Sequence, residues 1–495
     1  MSVFTLDINN QNFTPIKENK LNYGEVNTPY TLINEMLDLI EMDNPTVYNN
    51  PKLKWLDPAC GCGYYIYALY NRLFNGLEPV ISSPIERNKH ILNKMIFICE
   101  INASNIEILK RQLGKEAINI THGDFLNDFK GNGFDYIIGN PPYNCNGLKK
   151  VPTLKTGNKK NDGYTIWDKF VKHSTALLKT NRGKLSFIIP SIWMKPDIAL
   201  NYNFFFNLNI LYIKTFNNTQ TNSIFKGQAQ TPTCYFLLEN SVNNACSNTF
   251  QLYDSLYDKY VEYTVEFLKP IPLDYAAVFK YIDLAHSKLS INSLFNQIVV
   301  KTNMPKKGIV LSDPFFIGDR EITNDKQYIN INTCKIVKKT GNNIPTLEGK
   351  LSNIGCSYHG KPKIILSHKM YGFPYYDKDG VFGICNRDNY VILIERLTSL
   401  YPNLSNRDIE LIMDFLNDPF TLILYEATRY RMKYLEKYIF SLLPNIVEIY
   451  NRNDIKERYN RNTLFKILEI PDELIEIIED KISSKKQYSL VEISL

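Results

Sequence analysis

Phe134-Asp135-Tyr136-Ile137-Ile138-Gly139-Asn140-Pro141-Pro142-Tyr143 is the stretch on which the reading of this chain turns. The apolar run predicts a buried strand, and Gly139 with two prolines takes the backbone out of it abruptly. An amide and an aromatic ring are thereby fixed at a strand's C-terminal end, where open α/β sheets bind their ligands. The prolines remove backbone donors and fix φ, leaving rigid carbonyl acceptors. An amide oxygen and a carbonyl oxygen can together accept both hydrogens of an exocyclic amine, while the Tyr143 ring stacks on the planar group that carries it. The tetrapeptide suits an amino group on a base or an amide.

Upstream, the chain supplies three more strand ends with ligand-type residues. Lys54-Trp55-Leu56-Asp57 feeds the turn Pro58-Ala59-Cys60-Gly61-Cys62-Gly63, followed by a helical pattern over Tyr65–Leu73. Glycines there let a ligand approach the backbone closely. Met95-Ile96-Phe97-Ile98-Cys99 ends in Glu100, an acid placed to accept from a ribose diol, or simply a surface residue before a helix. Asn119-Ile120-Thr121-His122 leads to Gly123-Asp124-Phe125. Before all of these, Thr28 is expected to cap a helix running through Ile33, Met36, Leu37 and Ile40, with Pro29 at its first position. Four successive strand ends carrying such residues weigh far more than any one.

With 495 residues the chain predicts two or more domains. It shows no apolar run long enough to span a bilayer and no signal segment, so a soluble cytoplasmic protein without membrane partners is expected. Nine scattered cysteines argue against a disulfide framework, and Cys60 and Cys62 lack a second pair at zinc spacing, so no metal is expected. A net charge of +6 does not by itself announce nucleic acid. Its distribution says more: residues 144–184 carry ten Lys/Arg against two Asp, and 301–372 carry twelve against five acidic residues. Either cluster alone reads as a solvated face; the pair favours a groove that tracks phosphates.

The motif order resembles that of the gamma-class amino-methyltransferases of DNA that act on adenine N6. The shared elements are a Thr-Pro segment, a Pro-Ala-Cys-Gly turn, an acidic second strand, Asp-Phe and Asn-Pro-Pro-Tyr, over residues 23–240. The resemblance implies an α/β, Rossmann-like doubly wound sheet that binds S-adenosylmethionine, followed by a C-terminal mixed α+β target-recognition domain. It implies a division into an N-terminal arm (1–22), the catalytic domain (23–240) and a DNA-binding domain (250–495), with the polar stretch 240–249 as linker.

By position, Thr28 would contact the methionine part of the cofactor, Asp57 and Ala59 its amino-acid moiety, and Gly61 and Gly63 would give it room. Glu100 would hold the ribose hydroxyls and Ile101 would pack near the adenine. Asp124 would accept from the cofactor's adenine amine, Phe125 would lie against its ring, and Phe170 would line the same pocket. Asn140 and the Pro141 carbonyl, held by Pro142, would bind the target amine; Tyr143 and Phe225 would stack on the target base. No catalytic cysteine follows the prolines, as cytosine-C5 methylation would require. Double-stranded DNA with a flipped adenine is the implied substrate, with or without a separate cognate restriction endonuclease. Methylation of a protein glutamine amide or an RNA base is the alternative use of the same tetrapeptide, and a silent DNA-binding subunit is a third reading.

In the C-terminal half, Lys361–Leu366 reads as a strand and Phe373–Gly383 as a hairpin turning at Asp379-Gly380. Helical patterns follow at 407–417, 419–440 and 473–483. Arg429, Arg431 and Lys433 alternate with Tyr430 and Tyr434, as on a nucleic-acid surface or an ordinary amphipathic helix. Pro471-Asp472 with Glu479-Asp480-Lys481 imitates a metal-dependent nuclease signature, but the apolar spacing of Leu474, Ile475, Ile477, Ile478 and Ile482 makes these charges a solvated helix face.

Overall fold

The computed structural model describes residues 26–114, 116–145, 164–196, 201–317, 328–339, 342–368, 372–430 and 435–484. The N-terminal arm, most of the Lys-rich stretch after Tyr143, and Arg431, Lys433 and Tyr434 lie outside them. The chain folds as two compact units. The first comprises residues up to Trp193, then Asp197–Tyr253 and Thr264–Phe267; the second comprises Met194–Pro196, Asp254–Tyr263 and Leu268 onward.

The first unit is built on one sheet. Its strands are β1 (Trp55–Asp57), β2 (Ile96–Glu100), β3 (Ile120–His122), β4 (Tyr136–Gly139), β5 (Lys184–Pro190), β6 (Leu208–Phe216), β7 (Thr233–Val242), β8 (Ser247–Asp254) and β9 (Lys259–Glu266). Their spatial order is β3-β2-β1-β4-β5-β7-β6-β8-β9. The first five strands are mutually parallel, and β7 runs antiparallel between β5 and β6. This is a Rossmann-like doubly wound sheet. Strand order reverses between β1 and β4, so the crevice outside those two strand ends is the topological switch point.

Burial on both faces explains why β1, β2, β4 and β5 read as apolar runs. Trp55 is fully buried and stacks on Tyr136 with ring centroids 4.3 Å apart, tying β1 to β4. Asp135 pins the start of β4: its carboxylate accepts from Lys54 N at 2.9 Å and pairs with Lys179 at 2.6 Å. The strand's other end needs glycine. Gly139 has φ +150°, and a Cβ there would lie 2.9 Å from Asp57 Oδ1. Gly63 opens the helix Tyr64–Gly76 at φ +91°, where a Cβ would meet Leu109 Cδ2 at 2.6 Å.

The polar stretch 240–249 is a connection inside this unit rather than a boundary. Asn243 Nδ2 donates to Phe206 O and Ser247 O, and Asn248 Nδ2 to Phe206 O and Leu208 O, so the asparagines satisfy turn and strand-end carbonyls. The chain passes to the second unit in the β8–β9 segment.

The second unit contains two four-stranded sheets. With β10 (Val299–Lys301), β11 (Phe315–Phe316), β12 (Tyr328–Lys339), β13 (Asn342–Ser352), β14 (Lys363–Ser367), β15 (Tyr375–Asp377), β16 (Gly383–Ile384) and β17 (Asn389–Leu393), their orders are β10-β17-β14-β15 and β11-β13-β12-β16. Ile331, Cys334, Leu347, Ile365, Val391 and Leu393 form a core fed by both sheets. The expected hairpin over 373–383 is not one, since β15 pairs with β14 and β16 with β12. Asp377 accepts from Val381 N at 2.9 Å and Phe382 N at 3.0 Å, holding the turn so that its arms diverge. The helical pattern over 419–440 is broken: Pro419–Glu426 is α-helical, and Lys437–Ser441 is a short 3₁₀ segment. Tyr430 is fully buried and donates to Ile271 O at 2.5 Å, but it lies past the end of that helix, so neither the nucleic-acid surface nor the amphipathic helix is seen at this tyrosine. In the helix Asp472–Ser484, Leu474 and Ile478 point inward, while Asp472 and Asp480 are exposed and Glu479 accepts from Arg461 at 3.0 Å.

Candidate active site

The switch point gathers most of the residues singled out above. Asp57 ends β1 and is buried. Its Oδ1 accepts from Ala59 N at 3.1 Å, while Oδ2 is buried without any hydrogen-bond partner. Burial pushes the carboxyl up to about 8, the Ala59 N–H opposing and the negative charge of Glu100 adding to the rise. A buried carboxyl oxygen without a partner can still take up a hydrogen-bond donor. Glu100 ends β2 with one oxygen accepting from Gly61 N at 2.7 Å and the other from Asn102 N at 2.7 Å. The carboxylate therefore braces the Gly-rich turn.

Asn140 follows β4. Its Nδ2 donates to Thr28 Oγ1 at 3.1 Å and to Val26 O at 3.4 Å, and its Oδ1 is buried with no partner. Thr28 thus does not cap the next helix. The helix Tyr30–Asp43 has Pro29 at its N-cap with no side-chain cap bond, because the threonine hydroxyl is turned to Asn140. Pro141 is buried and Pro142 half-buried. Tyr143 is half-buried as a residue, but its hydroxyl is buried without a partner near Tyr65 and Cys234, and burial holds its pKa well above the usual phenol range. Downstream, Ile166 N donates to Tyr143 O at 3.1 Å and Cys145 N to Tyr164 O at 2.9 Å. The returning chain therefore clamps the backbone just after the tetrapeptide.

A second group lies at the ends of β2 and β3. Ile101 is 51% exposed. Phe125 is buried, stacks on Phe170 at 5.3 Å and meets His173 edge-on at 4.8 Å. Burial lowers the pKa of His173, with Asp124 opposing, and its Nε2 is buried without a partner. Asp124 closes its own turn, accepting from Leu126 N at 2.9 Å and Asn127 Nδ2 at 2.6 Å. Phe225 stands apart in character: it is 2% exposed at the end of the helix Asn218–Ile224, packed inward rather than presented.

Three residues escaped the sequence reading: Val26, Tyr65 and His173. No local pattern links Asn140 to Val26 or Thr28, 114 and 112 positions away. His173 sits on the face of the helix Trp167–Leu177 that packs on Phe125, and that is its one signal. Among the described residues no group of three or more His, Cys, Asp or Glu side chains is placed to hold a metal ion, and no helix is long and apolar enough to cross a membrane.

Residues 75–225, which contain β2 to β6 and the Asn-Pro-Pro-Tyr tetrapeptide, match the Eco57I restriction-modification methylase family. Over those residues the chain is similar to a restriction-modification methylase. An adenine-specific methylase from Mycoplasma pneumoniae, itself uncharacterized, is 25% identical to it over 299 residues, 44% of this chain and 67% of that protein. The modification methylase CviBIII of Paramecium bursaria Chlorella virus NC1A is 29% identical over 180 residues, 36% of this chain and 40% of the relative. The chain thus spans well under two thirds of the second relative's length. Among solved structures, that of the type IIL restriction-modification enzyme MmeI in complex with DNA aligns with 94% of this chain and 76% of its own, at 12% identity and a TM-score of 0.42.

The orphaned oxygen at the end of β1 suits S-adenosylmethionine chemically. Asp57 Oδ2 offers a bare buried acceptor to an ammonium group, and the glycine at position 63 leaves no Cβ to crowd the turn.

Proposed function

We propose that this chain is a site-specific DNA methyltransferase that transfers a methyl group from S-adenosylmethionine to N6 of an adenine flipped out of duplex DNA. The observation that carries this reading is Asn140: both hydrogens of its amide nitrogen are engaged, and its amide oxygen is buried and bare at the switch point. Such an oxygen is an acceptor waiting for an N–H donor. The adenine-specific relative from Mycoplasma pneumoniae supports the same reading.

S-adenosylmethionine, when bound, supplies an electrophilic methyl carbon on a sulfonium sulfur. Asp57 and the Ala59 backbone hold its amino-acid end, Glu100 its ribose hydroxyls, and Asp124, Phe125 and Phe170 its adenine, with Ile101 at the margin. An aromatic amine is a poor nucleophile because its lone pair is delocalised into the ring. Asn140 Oδ1 and the Pro141 carbonyl each accept one amine hydrogen, drawing the nitrogen towards tetrahedral geometry and its lone pair out of conjugation. This is positioning combined with preorganised electrostatics, and it needs neither a covalent intermediate nor a metal. Pro142 fixes that carbonyl, and Tyr143 stacks on the extruded base, offsetting part of the lost base stacking. Phe225 joins that stack only by leaving its buried place. The second unit serves as target-recognition domain and double-stranded DNA is the partner, with or without a separate cognate endonuclease.

The test is transfer of radiolabelled methyl to unmethylated duplex DNA, with RNA and protein as parallel acceptors. Label recovered as N6-methyladenine in DNA is expected; label in RNA or in glutamine side chains alone would replace this reading.

A further inference from the structure

An asparagine can accept an amine's hydrogen only if its amide oxygen faces the amine, and an amide rotated by half a turn would present a donor instead. What decides the orientation of Asn140 lies on the segment before the first helix. Val26 O is a backbone carbonyl and can only accept, so the atom of Asn140 facing it at 3.4 Å must be nitrogen. Thr28 Oγ1, at 3.1 Å, takes the other hydrogen.

A threonine hydroxyl can donate as well as accept, and by itself it would tolerate either orientation. Its single proton is committed elsewhere. Tyr65 donates its single hydroxyl proton to Met36 Sδ at 3.2 Å, so toward the neighbouring Thr28 hydroxyl it has only an acceptor to offer. Tyr65 is buried on the helix that opens at Gly63, and Met36 is buried on the helix Tyr30–Asp43. Every proton in the chain Asn140–Thr28–Tyr65–Met36 therefore runs one way, ending on a thioether that can only accept.

We propose that Thr28, its hydroxyl polarised by Tyr65 and Met36, together with the Val26 carbonyl, is a positioning device that locks the Asn140 amide with Oδ1 toward the substrate amine. Thr28 then acts on the reaction through Asn140, which is a different duty from holding the cofactor's methionine part. The inference rests on the adenine-methylation reading, and wild-type activity separates the two. A flipped Asn140 would oppose its oxygen to the Val26 carbonyl and turn an N–H toward the incoming amine, two repulsive contacts at once.

The experiment measures kcat, KM for DNA and the dissociation constant for S-adenosylmethionine in wild type, Thr28→Val, Thr28→Ser and Tyr65→Phe, with thermal unfolding of each as a control. Thr28→Val keeps the shape and removes the acceptor, so kcat should fall about tenfold or more while cofactor affinity stays within about threefold. Thr28→Ser restores the hydroxyl and should regain most of that loss. Tyr65→Phe frees the Thr28 proton and should lower kcat by about threefold at unchanged KM, which keeps the test alive if the valine variant fails to fold. Three outcomes overturn the proposal: Thr28→Val and Tyr65→Phe both turning over like wild type, a serine variant as defective as the valine one, or a loss confined to cofactor affinity. Wild-type protein that methylates no DNA would remove the reading beneath it, and the inference with it.

Discussion

Two buried polar constellations, one in each unit, are built on opposite plans. In the second unit Lys363 and Asp377 are an ion pair at 2.5 Å, both almost wholly buried. The ammonium also donates to Lys361 O, and the carboxylate also accepts from Val381 N and Phe382 N. The group is closed on itself. At the switch point of the first unit, Asp57 Oδ2, Asn140 Oδ1 and the Tyr143 hydroxyl are equally buried and have no partners. Leaving such atoms bare costs about 1–3 kcal/mol each, and a fold retains that cost where a ligand will complete the bonds. Here the closed network holds the fold, and the open group lies at the candidate site.

Removing members of the two groups should therefore give opposite phenotypes. Asn140→Ala is expected to lower turnover by about 10³-fold, with thermal stability close to that of wild type, because removing an unsatisfied oxygen offsets the loss of the bonds to Val26 O and Thr28. Parallel methyl-transfer and unfolding assays check both halves, and a strongly destabilised variant would break the comparison. Lys363→Met should do the reverse, costing about 3–5 kcal/mol in denaturant unfolding by leaving the Asp377 carboxylate uncompensated.

A pH effect of smaller size sharpens the same distinction. His286 accepts from Asn445 N at 3.0 Å through Nε2, and burial, with Lys269 adding, lowers its pKa to about 4 from 6.5. The unfolded chain binds the proton more tightly, so stability is complete above about pH 6.5 and falls as pH drops toward 4. The loss amounts to about 3 kcal/mol. Thermal melts from pH 7.5 to 4.5 should show it, and His286→Gln should flatten that slope.

At the open site the sign concerns binding instead. Asp57 is raised to about 8, so at pH 7 it holds a proton that an arriving ammonium group displaces. Affinity for S-adenosylmethionine should rise between pH 6 and 7 by up to about tenfold, with proton release seen by calorimetry in two buffers. In Asp57→Asn the dependence should vanish.

How far these plans could be read in the sequence follows from what each depends on. The strand ends at Asp57, Glu100 and Asn140 were legible because parallel strands buried on both faces stand out as short apolar runs ended by abrupt turns. The turn at Asp124 was placed by its Gly123-Asp124-Phe125 sequence instead, since the strand before it is a half-exposed edge strand. Bonds between segments far apart in sequence were not legible. Thr28 reads locally as a helix cap, and only the fold shows its hydroxyl turned to Asn140. Asp379-Gly380 has the chemistry of a hairpin turn, but Asp377's bonds to Val381 and Phe382 send the following strand to another sheet. The asparagines of 240–249 look like a linker because a turn that satisfies backbone carbonyls has the same composition. Phe225 matched by position, yet helix-end packing buries it.

The central claim is that the bare Asn140 oxygen receives the amine of a DNA adenine. Its most direct test is methyl transfer from labelled S-adenosylmethionine to duplex DNA by wild type and Asn140→Ala, with cofactor binding measured in both. N6-methyladenine formed by wild type and absent from the variant, at equal cofactor affinity, is the predicted result. Equal methylation by the two proteins, or label confined to RNA or protein, would contradict it.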